Sequence, residues 1–305
     1  YEDNLFRFAL LSRAALEAPF VVKPGGVEYG QRITFLANDW QAGLVPTFLV
    51  HRYRKRGLYA DARSIYVVHN LGYQGKFSAE QRPGWLMGLD ERAEKDLLDG
   101  DGVNLSRGAL LNADQVVAVS PSYAAELCTA DGGFGLEGIV REKAEASRVR
   151  GIRNGIDADW NPRLDSSIAR TYGRGDFLEA RPVSKVALQR RLGLATDPKA
   201  VVVGFVGRMA WQKGVDILGE LVDWLVVEEG PALGGTVQLA MMGVGEEKYC
   251  EMLRQSERRH PGRVCGYVGF DEGVEHLMMA GCDLLVMPSR YEPCGLPQMI
   301  AQTYG

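Results

Sequence analysis

Apolar and polar residues run along this chain in blocks. Leu5 to Leu16 carries apolar residues at helical spacing and predicts a helix, ended by Pro19 and by Pro24-Gly25-Gly26. Ile33-Thr34-Phe35-Leu36 is short and apolar, as a buried strand would be. It leads through Asn38-Asp39-Trp40 into a helix from about Ala42 to Arg54. Ser64 to Val68 is a second such run, with His69-Asn70 at its C-terminal edge. Val116 to Val119 is a third, followed by Ser120-Pro121, a capping serine with an early proline. Strand, polar edge and helix in repetition predict a parallel α/β arrangement.

The stretch from Trp160 to Gly175 is polar with scattered Pro and Gly, so a domain boundary is expected there, dividing the chain into 1–165 and 166–305. The alternation then resumes. Val201 to Val206 reads as a strand that runs into Gly207-Arg208, with a helix from about Gly214. Thr236 to Met242 is a strand that ends in Gly243-Val244-Gly245. Val264 to Phe270 and Leu284 to Met287 are two more, the last leading through Pro288 to Gly295 into a helix start. No internal repeat or low-complexity tract interrupts the pattern. The expected fold is two doubly wound α/β domains, in which ligands bind at the carboxyl ends of the strands.

Composition narrows the classes. Of 305 residues, 46% are hydrophobic and 24% charged, enough to bury a sizeable core. A net charge of -4 argues against nucleic acid or an anionic membrane as partner. No run of about 18 apolar residues suits a membrane span. The five cysteines, Cys128, Cys250, Cys265, Cys282 and Cys294, form no C-x-x-C pair, so neither a disulfide framework nor a structural zinc site is expected. The chain opens without Met and closes within an apparent helix, so both ends read as truncated.

The strand edges hold the candidate chemistry. Arg208 and Lys213 lie five residues apart across a βα turn flanked by Gly207 and Gly214. A planar guanidinium and a compact ammonium there can hold a diphosphate, although two solvated cations would show the same spacing. Glu292 precedes a helix start whose Gly295 and Leu296 N–H groups suit phosphate. A glutamate that merely favours the helix dipole reads alike. Asp39 and His69 end two strands and can bind sugar hydroxyls, and Asn154 fits either a site or a turn. Gly243 opens half of a dinucleotide fingerprint or only a tight turn. Lys23-Pro24-Gly25-Gly26-Val27 precedes its strand and reads as a plain loop.

The wording and order of these edges carry more than any one of them. Asp3-Asn4-Leu5-Phe6-Arg7-Phe8, Ala37-Asn38-Asp39-Trp40, Val68-His69-Asn70-Leu71-Gly72-Tyr73-Gln74-Gly75 and Asn154-Gly155-Ile156-Asp157 follow one another. Gly207-Arg208-Met209-Ala210-Trp211-Gln212-Lys213-Gly214 and Pro288-Ser289-Arg290-Tyr291-Glu292-Pro293-Cys294-Gly295-Leu296 come after them. The series resembles the starch synthases and bacterial glycogen synthases over nearly the whole chain. Ala130 to Leu136 looks more like the soluble starch synthases.

The resemblance implies a GT-B fold, with two Rossmann-like domains and a donor cleft between them. It implies retaining, metal-independent transfer of glucose from ADP-glucose to the non-reducing end of an α-1,4-glucan. Arg208 and Lys213 would bind the diphosphate and stabilise departing ADP, with Glu292 near the glucose. Gly295, Leu296 and Gly243 would lie on the donor side, and Phe270 near the adenine. Asp39, His69 and Asn154 would line the acceptor and glucose side. A plastid is the implied location, or a bacterial cytoplasm for a glycogen synthase of the same chemistry. A UDP-glucose transferase and a non-catalytic glucan-binding homologue remain alternatives. Three features depart from the family pattern. Gln41 stands where a histidine is usual, and both the N-terminal Lys-x-Gly-Gly-Leu and the C-terminal Thr-Gly-Gly-Leu loops are missing. The parent protein is therefore expected to be active and residues 1–305 alone inactive.

Overall fold

Strands form where the apolar runs predict them, and in a few places where no run announces them. The computed structural model describes residues 3–23, 26, 29–78, 80, 89–229 and 235–305. Pro24, Gly25 and Val27 of the glycine-rich run lie outside the described residues. The chain divides into two compact units, Tyr1–Asn154 and Gly155–Gly305. The boundary expected after 165 falls inside the second unit. Its polar stretch is no linker there, because Asp165 is buried and hydrogen-bonded to His276 and Tyr304.

In the first unit the strands are β1 (Thr34–Asn38), β2 (Arg63–Val68), β3 (Lys76–Phe77), β4 (Leu98–Asp99), β5 (Gly102–Asn104), β6 (Gln115–Ala118) and β7 (Val149–Gly151). β1-β2-β6-β7 make a parallel sheet, and β3-β5-β4 a small antiparallel one. Burial alternates along β2, with Ser64, Tyr66 and Val68 inside. The first helix is longer than its apolar core, Asn4–Val21, and carries Pro19 within it. The helix after Asp39 contains a widened turn over Leu49–Tyr53. Ser120 caps its helix as expected, its Oγ accepting from Tyr123 N at 3.0 Å with Pro121 in the first turn.

In the second unit β8 (Val201–Val206), β9 (Val237–Gly243), β10 (Val264–Val268) and β11 (Leu284–Leu285) form one parallel sheet in the order β10-β9-β8-β11. Both faces are covered. Val203, Phe205, Leu239 and Met241 pack with Leu218, Val222 and Leu253 on one side. Val202, Ala240 and Met242 pack with Leu188, Val274 and Met278 on the other. This two-sided burial is why β8 and β9 read as continuous apolar runs. The chain builds outward from β8 to β10, then returns to lay β11 on the other side of β8. That reversal makes the gap between the ends of β8 and β11 a topological switch point. Among the described residues no helix is long and apolar enough to cross a membrane.

Leu253 is fully buried in the second unit's core. Leu253→Ala is therefore expected to cost about 3 kcal/mol, the middle of the range for a leucine truncated in a close-packed core. Urea unfolding followed by tryptophan fluorescence measures it.

Candidate active site

The switch point brings Arg208, Lys213 and Glu292 together. β8 runs into Gly207 and Arg208, and a short turn over Trp211–Lys213 closes on Gly214. Gly214 has φ +66°, and a Cβ there would stand 2.0 Å from the Pro288 carbonyl oxygen, so only glycine fits. This close approach brings Lys213 to the loop that follows β11. Lys213 Nζ lies 2.7 Å from Glu292 Oε2, with 16% and 22% of the two side chains exposed. Ser289 Oγ donates to the same carboxylate oxygen at 3.0 Å. The helix Leu296–Tyr304 starts four residues after Glu292, from Gly295 at φ +77°.

Gln212 knits the two sides together and was not singled out by the sequence. It is 5% exposed. Its Oε1 accepts from Arg208 at 3.0 Å, its Nε2 donates to Tyr291 O at 3.3 Å, and its carbonyl accepts from Arg290 N at 2.9 Å. Arg290 forks onto Asp216 at 2.7 and 2.8 Å and covers the Trp211 ring at 4.5 Å. Hydrogen bonding from that guanidinium holds the Asp216 carboxyl below its usual range. Gln212 and Arg290 stand inside the motifs that carry Arg208, Lys213 and Glu292. A polar residue between two motif cations is the signal that could have pointed to Gln212.

The remaining second-unit candidates spread along the same sheet edge. A Cβ on Gly243 would lie 1.8 Å from the Gly207 carbonyl oxygen, so its glycine is required by the approach of the β8 and β9 ends. Met209 N donates to Val244 O and Glu246 N to Met209 O, both at 2.8 Å, which locks that turn. Phe270, just beyond β10, is 70% exposed. The edge therefore reads Phe270, Gly243, Arg208 with Lys213, then Glu292, in the spatial order of the strands. Four strands span roughly 14 Å at the usual inter-strand spacing. A cavity of about 910 Å³, lined by Trp160, Tyr172, Phe177 and Gln302, lies at the C-terminal end of the last helix and includes none of these residues.

The first unit carries its own edge. Asp39 and His69 follow neighbouring parallel strands, and Asn154 joins that edge through Asn154 N to Val119 O at 3.3 Å. Asp39 has φ +53° and ψ −175°, a region that costs a non-glycine residue about 1–3 kcal/mol. The strain aims its carboxylate at backbone donors. Oδ1 accepts from His69 N at 2.8 Å and from Asn70 N at 3.4 Å. Burial pushes the Asp39 carboxyl above its usual range despite the pull of those N–H groups. His69 Nε2 pairs with Asn38 Oδ1 at 2.9 Å. Gln41 lies in the short turn that Asp39 begins. Among the described residues no cluster of three or more His, Cys, Asp or Glu is arranged to hold a metal ion. Cys250, Cys265 and Cys282 are buried, and burial pushes the Cys265 and Cys282 thiols up to about 12. Cys294, near Glu292, is half-buried.

Both units are built on parallel sheets, and the second sets a carboxylate against cations at its switch point. Residues 1–142 match the starch synthase catalytic domain family and residues 200–305 match the glycosyl transferases group 1 family. The chain is 40% identical to the chloroplastic/amyloplastic starch synthase 1 of Arabidopsis thaliana and 41% to soluble starch synthase 1 of Solanum tuberosum. All of the chain is covered in both, with 47% and 48% of the relatives. The chain thus spans about half the length of the curated relatives it matches. It also resembles the solved catalytic domain of starch synthase IV from Arabidopsis thaliana bound to ADP and acarbose. That likeness has a TM-score of 0.83 at 30% identity and covers all of this chain and 60% of that one. The chain belongs to the starch synthase family of glycosyltransferases.

The raised Asp39 carboxyl carries a stability consequence. A group whose folded pKa exceeds its unfolded value favours folding below the unfolded pKa and loses that contribution as pH rises through the folded one. Asp39→Asn keeps a side-chain oxygen for His69 N and removes the buried charge, and asparagine tolerates positive φ better. It is expected to raise Tm at neutral pH and to lose that advantage below about pH 4, where aspartate is protonated in both states. Melting curves from pH 3 to 8 check it.

Proposed function

We propose that the protein transfers glucose from ADP-glucose to the non-reducing end of an α-1,4-glucan with retention at the anomeric carbon. The observation that carries this is the Lys213–Glu292 contact at the switch point, with Arg208 held beside it through Gln212. In the transfer, the bond from the anomeric carbon to the donor phosphate breaks and a bond to the acceptor oxygen forms. Negative charge builds on the departing ADP and positive charge on the sugar. Arg208 and Lys213 stabilise the first, and Glu292 the second. The Gly295 and Leu296 N–H groups, at the positive end of the last helix, serve the phosphate.

The strand-edge order supports the donor's direction. Adenine would lie by Phe270, the chain of phosphates past Gly243 to Arg208 and Lys213, and glucose at Glu292. Asp39, His69 and Asn154 would bind hydroxyls of glucose and of the acceptor. No step of this reading runs through a metal ion, and neither nucleic acid nor a membrane enters it as partner. The plastid names of the relatives support a plastid location for this protein.

The test is transfer of labelled glucose to glycogen by the whole protein, from ADP-glucose and from UDP-glucose. ADP-glucose should be the better donor, and Glu292→Gln should lower kcat by about a hundredfold or more, as loss of transition-state charge stabilisation does. Preference for UDP-glucose would overturn the donor assignment. Glucan binding without transfer from either donor would overturn the enzymatic reading.

A further inference from the structure

The second unit buries an aspartate, a histidine and a tyrosine against one another, away from the transfer chemistry. Asp165 and His276 are each 5% exposed and Tyr304 is 0%. Tyr304 Oη donates to Asp165 Oδ2 at 2.5 Å, and His276 Nδ1 lies 2.8 Å from the same oxygen. Asp165 Oδ1 accepts from Ser167 N at 2.8 Å. Trp160 stacks flat on the His276 ring, centroids 3.9 Å apart. Tyr172 Oη and an Arg181 guanidinium nitrogen donate to the Tyr304 carbonyl at 2.8 and 3.0 Å. A buried carboxylate is tolerated only when its oxygens are fully bonded, and here they are.

What matters is where the three partners come from. His276 lies on helix Glu272–Gly281, which leads directly into β11. Tyr304 ends helix Leu296–Tyr304, which begins four residues after Glu292. The Glu292 loop thus has one tied helix before it and one after it, and both ties end on a single carboxylate oxygen. Asp165 itself sits in the segment that enters the unit, and contributes no residue to the β8–β11 gap. The cluster is thus bonded to the far end of the helix whose start follows Glu292.

We propose that Asp165, acting through His276 and Tyr304, is a positioning residue for the transfer site. The inference rests on the proposed glucosyl transfer for its kinetic consequence and on the fold alone for its structural one. A misplacement of about 1 Å at reacting groups costs up to about a hundredfold in rate. Loss of one tie should therefore show in kcat before it shows in donor or glucan binding.

The experiment uses the whole protein and three variants. Tyr304→Phe deletes the hydroxyl and keeps the ring, and Asp165→Asn keeps the shape of the acceptor. Tyr59→Phe is the control, because it deletes another buried hydroxyl, bonded to Leu16 O at 2.7 Å in the first unit. Tm, kcat and KM for ADP-glucose are measured, together with amide hydrogen exchange over residues 286–296. Tyr304→Phe should lower kcat by about tenfold with KM nearly unchanged, and should speed exchange in 286–296 but not in β8 or β9. Tyr59→Phe should lower Tm without either effect. If Tyr304→Phe lowers Tm but leaves kcat and the 286–296 exchange at wild-type values, the cluster is only structural and the proposal fails. Should Tyr304→Phe not fold, Asp165→Asn is read by the same criteria. If the wild type transfers no glucose, the functional reading fails separately, and exchange in 286–296 alone decides the positioning role.

Discussion

Much of the second unit is arranged around the contact between Lys213 and Glu292. The two residues belong to different βα connections, 79 positions apart in the chain, and meet only because β11 returns to the far side of β8. Gly214 must be glycine for the Pro288 backbone to come near enough. Gln212 then bonds to both connections, and Ser289 shares the carboxylate. Sheet order, turn chemistry and polar bonding thus converge on one partly buried ion pair. Such a pair is a poor source of stability once desolvation is counted. Its place at a switch point suits the ligand role of the proposed function better than a role in stability.

On the proposed reading, that role has a simple electrostatic form. Without donor, Lys213 neutralises Glu292, so a carboxylate can stand beside a phosphate site at little cost. A bound diphosphate competes for the Lys213 ammonium. Glu292 is then less neutralised at the moment a cationic sugar needs it. The helix that starts at Gly295 adds its positive end on the phosphate side. The anion and the cation of the transfer are therefore served by neighbouring groups of opposite sign.

The sequence revealed the parts of the fold that are local. β1, β2, β6, β8, β9, β10 and β11 fall within apolar runs, and the polar edges of β1, β2, β8 and β11 carried Asp39, His69, Arg208 and Glu292 into view. β7 stayed hidden because it is three residues long and holds Arg150, and β3, β4 and β5 because two or three residues show no periodicity. The boundary was misread for a related reason. The polar stretch around Asp165 looks like a linker, and its meaning lies in His276, 111 positions away, and Tyr304, 139 positions away. Gln212 was passed over beside two cations, because a neutral amide shows its value only through the groups it bridges.

On the proposed reading, the two edges differ in a way that favours one of them for the charged end of the donor. At the first unit's edge the carboxylate of Asp39 is held by backbone N–H groups at a strained dihedral, and burial works against its ionised form. An anionic diphosphate there would meet a second negative charge, whereas sugar hydroxyls would donate to the carboxylate's remaining lone pairs and relieve part of its desolvation. At the second unit's edge Arg208 and Lys213 bring two positive charges against one carboxylate, leaving a surplus for phosphate. On that reading, phosphate recognition falls to the edge with the two cations and hydroxyl recognition to the edge with Asp39. The proposed division rests on the opposite surroundings of two carboxylates, Asp39 among backbone N–H groups and Glu292 against Lys213.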